Sequence, residues 1–348
     1  MPKMGLYALT ACVGISIAHC GVLCAADKPK MQWTRFEMNH KDEAGKYLWR
    51  SDDNWRGGFP AKNRALEVGD DKSGKAVHCV LAGGKVECGG MEIAEHARTE
   101  GSSLIIKRKA EVLCYGNIVV GKDRTGYLTI EGTVRMLNKH SIFECGGPWG
   151  VPGNPSKGVI VITSTGLVDA YYVGINKGRH GPDDPANKRA RGSSITVDGG
   201  TLKLSRGMRI STSDPTDPGK LILRKRATFK QTGGVIEIWA GIWQIDGGEV
   251  SVSVNDLVCD GTKFFKDGAA IIKLTGAGVS TIKAQSIDLK NNTWLDVSGL
   301  TVKPGRYTLM EYQTLKSNRL ALIEGTDSNQ WALELDAKHS KLILIRKK

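Results

Sequence analysis

The sequence of 348 residues has few aromatic residues (6%), only 11 prolines, and no apolar run of membrane-spanning length beyond its N-terminal segment. These absences exclude collagen and a membrane transporter, and no heptad pattern supports a coiled coil. The sequence also lacks a CxxC pair, a phosphate-binding loop, a nucleotide-binding glycine fingerprint, GxSxG and HExxH. ATP-driven and common hydrolase chemistry are therefore unsupported, and because the seven histidines are scattered, neither a metal site nor a cofactor is expected.

The N-terminus has the pattern of a secretory signal. Lys3 precedes an apolar stretch at 6–23, and the small residues Cys24, Ala25 and Ala26 come before Asp27. This order of a positive start, an apolar centre and a small-residue cleavage site predicts removal of residues 1–26. We expect a protein secreted to the periplasm, the cell surface or the extracellular space, with no membrane span after removal of the signal.

An odd number of cysteines follows the predicted signal, so at least one thiol is expected to be free or to pair between chains. Two of them are close enough in sequence for a local disulfide, although strand geometry can forbid it. The pairing and the oligomeric state stay open for Cys79, Cys88, Cys114, Cys145 and Cys259.

The body of the chain repeats an alternating apolar pattern that is typical of short strands. The repeats start at residues 104, 128, 159, 195, 221, 243 and 271. A further apolar position follows about 15 residues after most starts, at Val119, Phe143, Val173, Ile210 and Ile236. Several columns of apolar residues per repeat predict an all-β fold, a right-handed parallel β-helix. Asp198 and Asp246 each precede a Gly-Gly pair at equivalent positions, which indicates a repeated turn.

Both ends of such a stack need a cap, because open strand edges aggregate. Residues 27–64 lack the repeat and are predicted to form an N-terminal cap, in which Trp33, Trp49 and Trp55 pack as a core or stack on sugars. The β-helix is predicted to cover residues 65–299. Residues 300–348 are predicted to close the other end, with antiparallel strands at 307–310, 331–335 and 342–345.

Two segments carry a resemblance to a known family. The opening Trp49…Asn54-Trp55-Arg56-Gly57-Gly58-Phe59-Pro60, the glycine-rich repeats and the closing Gly305-Arg306-Tyr307-Thr308-Leu309 resemble secreted autotransporter-passenger-like β-solenoids, which are common in planctomycetes and related bacteria. The resemblance implies an exported right-handed β-helix and no settled activity.

Three insertions rich in Pro, Gly and Asp interrupt the repeats at 144–158, 174–193 and 211–219. Each begins 15 or 16 residues after its own repeat start, so we expect all three to leave the β-helix at the same corner of successive turns. Loops on a rigid scaffold often carry function. The candidate site residues are Trp149, Tyr171, Tyr172, Lys177, Arg179, His180, Asp183, Asp184, Lys188, Arg189, Arg191, Asp214 and Asp217.

These residue types favour an acidic glycan as the partner. The binding candidates are aromatic rings, which stack on sugar faces, and cations, which hold carboxylate or sulfate: Trp149, Tyr171, Tyr172, Lys177, Lys188, Arg189 and Arg191. In a lyase, Arg179 or Lys177 would neutralise a uronate while His180 or a lysine removes the adjacent proton. In a glycoside hydrolase, Asp183 or Asp184 would pair with Asp214 or Asp217. The insertions are equally consistent with solvated turns without a function.

Basic side chains dominate the charge, with 49 Lys and Arg against 36 Asp and Glu. Basic runs occur at 107–109, 188–191, 224–226 and 346–348, and the first and third follow the same strand of their repeats. They serve as a polyanion-binding stripe or as solvated edges that prevent aggregation. The sequence therefore predicts an exported binding or structural module for acidic polysaccharide or an anionic envelope polymer. A polysaccharide lyase or glycoside hydrolase and a self-assembling envelope protein are the alternatives, and nucleic acid is not the expected partner.

Overall fold

The computed structural model describes residues 60–69, 76–94, 101–122, 124–147, 156–176, 192–211, 217–263 and 266–348, together with the backbone of 32–36, 47–48 and 55–56. The predicted secretory signal lies outside these residues. Residues Met31–Lys348 form one compact unit.

The described part of the chain consists almost entirely of β-strands, with a 3-10 helix at Ala337–His339. None of its helical segments is long and apolar enough to cross a membrane. The strands are β1 (Gln32–Phe36), β2 (Tyr47–Leu48), β3 (Trp55–Arg56), β4 (Arg64–Val68), β5 (His78–Cys88), β6 (Gly90–Ile93), β7 (Ser102–Cys114), β8 (Ile118–Val120), β9 (Thr125–Ile130), β10 (Thr133–Met136), β11 (Ile142–Cys145), β12 (Lys157–Ile162), β13 (Leu167–Ile175), β14 (Ser194–Asp198), β15 (Thr201–Ser211), β16 (Lys220–Arg224), β17 (Thr228–Gln231), β18 (Val235–Trp239), β19 (Ile242–Asp246), β20 (Ser251–Cys259), β21 (Ala270–Gly276), β22 (Ile282–Leu300), β23 (Gly305–Leu322), β24 (Trp331–Asp336) and β25 (Lys341–Arg346).

These strands stack in three parallel columns, which the chain visits in the order A, B, C on each turn. Column A contains β9, β12, β14, β16, β19 and β21. Column B contains β10, β17 and the first halves of β13, β15 and β20. Column C contains β8, β11, β18 and the second halves of β13, β15 and β20. Long strands such as β7 and β22 bend from one column into the next.

This arrangement confirms the prediction of a parallel β-helix. Every predicted repeat start lies in column A, and the five later apolar positions all lie in column C. The interior of column A is a ladder of register-paired side chains on successive turns, each at most 1% exposed: Leu104, Leu128, Ile160, Ile195, Leu221, Trp243 and Ile272. Burial of each such side chain contributes roughly 1.5–3 kcal/mol, which holds the turns together.

Parallel pairing extends beyond residues 65–299 at both ends. β1 pairs in parallel with β4, and β2 with β5, so the columns already begin within 27–64. At the other end β22 pairs in parallel with β23 as far as Leu322. β25 then runs antiparallel to both the start of β23 and β24, which matches the three closing strands predicted from the sequence.

All five cysteines beyond the predicted signal are buried and have free thiols. Cys88 and Cys114 are register partners on adjacent turns of column B. The hydrogen bond of the Cys88 thiol to Cys114 and the burial of Cys88 raise the pKa of Cys88 well above its usual value. Cys88 therefore keeps its proton in the interior of the β-helix.

Candidate functional site

A cavity of about 420 Å³ opens at the edge between columns B and C, on four successive turns. We call it the tyrosine groove. Its wall contains the following charged, aromatic and imidazole side chains: Lys139, His140, Tyr171, Tyr172, Arg206, Arg209 and Glu237.

The hollow beside Tyr172 has a simple cause in the register of column C. Tyr172 pairs with Ile142 on one side and with Gly207 on the other. Gly207 has no side chain, and the backbone of the next turn lies so close that a Cβ on it would be 2.5 Å from the Val235 carbonyl oxygen. The wall of the groove therefore has no side chain at the position next to Tyr172 on this turn.

Tyr172 is a neutral hydrogen-bonding group in this groove. Burial raises the pKa of Tyr172 to about 12, and the nearby charges of Arg209 and Glu237 have smaller, opposing effects. The phenol therefore keeps its proton at neutral pH and is able to donate a hydrogen bond.

The two arginines of the groove are held in place by aromatic rings. The guanidinium carbon of Arg209 lies 3.7 Å from the centroid of the Trp239 ring, and that of Arg206 lies 5.9 Å from the Tyr171 ring. Arg209 also donates through Nε and Nη2 to Oε2 of Glu237, at 3.2 and 3.1 Å. Stacked guanidinium groups lose little conformational freedom when they bind a carboxylate or sulfate.

The two carboxylates nearest Tyr172 do not form a hydrolytic pair. Glu144 and Glu237 occupy one outward row of column C, with Gly174 and Arg209 on the two turns between them. Three steps of about 4.8 Å separate the two positions by roughly 14 Å along the axis. Glycoside hydrolases need carboxyl groups about 5–9.5 Å apart. Within the described residues, no group of His, Cys, Asp and Glu is suited to hold a metal ion.

Three of the candidate residues predicted from the sequence are described by the structure. Tyr171 and Tyr172 line the tyrosine groove. Asp217 lies at the foot of the third insertion, where its backbone carbonyl accepts a 3.0 Å hydrogen bond from the Gly192 N–H at the end of the second. The remaining candidates lie outside the described residues: Trp149, Lys177, Arg179, His180, Asp183, Asp184, Lys188, Arg189, Arg191 and Asp214.

The roots of the three insertions are stacked at the corner between columns C and A, as the sequence predicts. Their starting strands pair through Cys145, Ile175 and Ile210 on successive turns. A serine that is at most 1% exposed fixes each root: Ser156, Ser193 and Ser211. Ser156 donates to the Gly147 carbonyl, Ser193 accepts from the Gly158 N–H at 3.0 Å, and Ser211 donates to the Asn176 carbonyl at 2.8 Å.

The basic runs at 107–109 and 224–226 lie at one corner, between columns A and B, but acidic side chains neutralise much of their charge. Lys107 binds Glu131 at 2.8 Å, and Asp198 binds both Arg224 and Lys225, at 2.9 and 2.8 Å. Burial disfavours the Asp198 carboxylate, but these two hydrogen bonds outweigh it and lower the pKa of Asp198. Glu131 and Asp198 stand between the two runs, so this corner is not a continuous basic stripe.

Asp198 and Asp246 occupy the predicted turns. The glycines that follow them, Gly199 and Gly247, have φ of +80° and +90°, a conformation that favours glycine. The structure therefore places both aspartates where a repeated turn needs them.

Sequence reasoning missed a row of lysines on the outer face of column B. Lys203, Lys230, Ser253 and Lys283 are register partners on four successive turns. All three lysines are exposed. The available signal was a recurring Thr-apolar-Lys triplet, at 201–203, 228–230 and 281–283.

No protein-family model matches the chain, and no significant match was found among curated proteins or among solved structures.

Proposed function

We propose that the protein is an exported binding module for an acidic polysaccharide or a similar anionic envelope polymer, with the tyrosine groove as its binding site. The observation that carries the proposal is that two arginines, each lying over an aromatic ring, share one cavity wall with Tyr172. Arg206 and Arg209 supply paired donors for carboxylate or sulfate, and Tyr172 supplies a ring face and a neutral hydroxyl for a sugar.

Export follows from the signal pattern at 1–26 together with the excess of basic side chains, which suits an anionic partner outside the cell. The resemblance to autotransporter-passenger-like β-solenoids points to the same compartment.

Calorimetric titration with uronate and sulfated oligosaccharides tests this function. The double variant Tyr171→Ala/Arg206→Gln removes one stacked pair from the groove wall, and we expect it to weaken binding at least tenfold. The matched control is Tyr127→Ala/Arg108→Gln, which removes an exposed tyrosine and an exposed arginine outside the groove. Equal affinities for the two double variants would reject the groove as the site, and the absence of binding by the wild type would reject the function.

One observation favours a lyase as the second candidate function. His140 lines the same groove as Arg206 and Arg209, so a base and two carboxylate-neutralising groups face one cavity. In that case the wild type, but not His140→Ala, would generate the absorbance of unsaturated uronate ends. Binding without this absorbance would leave the module without lyase activity.

The other two alternatives have less support among the described residues. Glu237 is the one carboxylate among the described residues that lines the groove, and Glu144, three turns away, lies too far from it for a hydrolase. Large apolar side chains that are exposed in the described part of the chain are scattered over different strands and turns, as Tyr127, Leu137 and Leu335. A self-assembling protein would need them on one flat flank.

A further inference from the structure

A second cavity, of about 450 Å³, continues the same edge of the β-helix towards the C-terminus. We call it the lysine groove. Its outer wall is the row Lys230, Ser253, Lys283 and Glu311, which are register partners on four successive turns. The turn at 228–238 contributes Lys230 to the lysine groove and Glu237 to the tyrosine groove, so the two cavities share a boundary.

A buried glutamine ties the floors of the two grooves together. Gln231 is 2% exposed. Its amide nitrogen donates to the carbonyl of Arg206, at 3.1 Å, and its amide oxygen accepts from the N–H of Asn255, at 2.5 Å. Arg206 lines the tyrosine groove and Asn255 lines the lysine groove. The relative position of the two grooves is therefore fixed by the fold.

The lysines of this edge retain their charge for a partner. Among the described residues, no ion pair involves Lys203, Lys230 or Lys283. By contrast, Lys107 of the first basic run and all three cations of the third run are paired with acids. Lys203 and Lys230 are one turn apart, and Lys283 lies two turns further on. One turn advances the edge by about 4.8 Å, which is close to the advance of one sugar in an extended chain.

We propose that a linear acidic polysaccharide lies parallel to the axis of the β-helix and occupies both grooves at once. This inference rests on the function proposed for the tyrosine groove and extends it to a chain-length requirement. The two grooves span seven turns, and six steps of about 4.8 Å amount to roughly 29 Å. The tyrosine groove holds one end of the bound segment by ring and guanidinium contacts, and the lysine row neutralises acidic groups along the rest.

A glycan fits the lysine groove better than a single-stranded nucleic acid. Binding of nucleic acid without sequence preference depends on aromatic side chains on which successive bases stack. Tyr312 is the one aromatic residue in the wall of the lysine groove, whereas the amides of Asn255, Gln285 and Gln313 suit the hydroxyl groups of sugars.

The test is a calorimetric titration of the full mature chain with size-fractionated oligouronates, from the disaccharide to the decasaccharide. For the wild type we expect the affinity to rise with length until both grooves are filled. The variant Lys230→Gln/Lys283→Gln should bind the shortest ligands as the wild type does and lose about fivefold for the longest. The control Lys303→Gln/Lys338→Gln makes the same charge change at exposed lysines outside both grooves and should follow the wild type.

The outcomes separate this inference from the function on which it rests. No binding of any oligouronate would overturn both. Binding whose affinity stops rising at a di- or trisaccharide, or a Lys230/Lys283 effect that is equal for short and long ligands, would overturn the extended site and leave the tyrosine groove in place. Tighter binding of a single-stranded oligonucleotide of equal charge would overturn the glycan as the occupant.

Discussion

Arg209 and Trp239 form a stacked pair on adjacent turns, with the guanidinium carbon 3.7 Å from the ring centroid. Trp239 is 8% exposed, so its ring is fixed by packing, and the Arg209 side chain lies against it at the wall of the tyrosine groove. Glu237 holds the same guanidinium from the side, at 3.1 Å. The charge that Arg209 offers to an anion is therefore oriented but partly neutralised.

Removal of the Glu237 charge is expected to strengthen anion binding. Glu237→Gln keeps an oxygen that accepts the hydrogen bonds from Arg209 but releases its positive charge, so we expect roughly threefold tighter binding of acidic oligosaccharides. The control Glu249→Gln removes an exposed carboxylate that binds Arg226 at another corner. Weaker binding by Glu237→Gln in calorimetry would show that Glu237 itself contacts the ligand.

The hydroxyl of Tyr172 is expected to contribute one hydrogen bond to the ligand. Tyr172→Phe should weaken binding about two- to tenfold, the usual effect of one hydrogen bond. Because burial raises the pKa of Tyr172 to about 12, the ratio of the dissociation constants of variant and wild type should stay constant up to about pH 10, where an ordinary tyrosine begins to ionise. A ratio that falls towards one near that pH would contradict the neutral-donor role.

The aromatic pair in the core of the central turns is expected to dominate local stability. Phe229 and Trp243 are fully buried, and their rings meet edge to face with centroids 5.6 Å apart. Phe229→Ala should lower the free energy of unfolding by about 3–5 kcal/mol through lost burial and a residual cavity. Denaturant unfolding measures this, and Tyr127→Ala, at an exposed site, should change stability by less than about 0.5 kcal/mol. A small loss for Phe229→Ala would mean that the core collapses around the missing ring.

The ion pair between Asp296 and Lys273 is expected to make stability depend on pH. The two groups are 2.8 Å apart, and Asp296 also accepts from the N–H of Ser298. Burial disfavours the charged carboxylate and by itself would raise the pKa of Asp296, but these hydrogen bonds have the larger effect and lower it. Because the pKa of Asp296 is lower in the folded state, the ionised carboxylate stabilises the fold at any pH above the unfolded-state pKa of about 3.9. This stabilisation is lost as the pH falls through the folded-state pKa.

Asp296→Asn should therefore cost about 0.5–1 kcal/mol at neutral pH and very little in strong acid. Urea unfolding at several pH values measures the difference. Lys273→Gln and the double variant complete a mutant cycle, in which the coupling should vanish in acid. A coupling that persists in acid would point to packing rather than charge.

The fold could be predicted because its information is local and repeated. Leu104, Leu128 and Ile160 each belong to a short alternating segment, and the recurrence of such segments defines the columns before any contact is known. The corner of the insertions follows in the same way, from their distance to the repeat starts. The ion pairs could not be predicted from the sequence, because their partners lie on neighbouring turns. Lys107, for example, pairs with Glu131, which is one full turn away.

The sequence pointed to only two residues of the tyrosine groove, for a related reason. Tyr171 and Tyr172 are recognisable in the sequence as adjacent aromatic residues. Arg206 and Arg209 follow the ordinary strand pattern, and only the structure shows that each lies over an aromatic ring. Lys203, Lys230 and Lys283 are isolated in the sequence and become a row only when the turns are in register. Short runs of like charge are conspicuous in a sequence, but single charges at equivalent positions of a repeat are more informative in a solenoid.

Each turn of the β-helix pairs with only the turn before and the turn after, so the length of its edge is proportional to the number of turns. Lys220 is the register partner of both Ser194 and Ile242, so excision of 220–241 would remove one turn and bring β19 onto β14 and β20 onto β15. Each turn removed or duplicated in this way would shorten or lengthen the bound segment by one step. Under the proposed function, the number of turns that carry groove residues would set the length of the polymer segment that the protein binds.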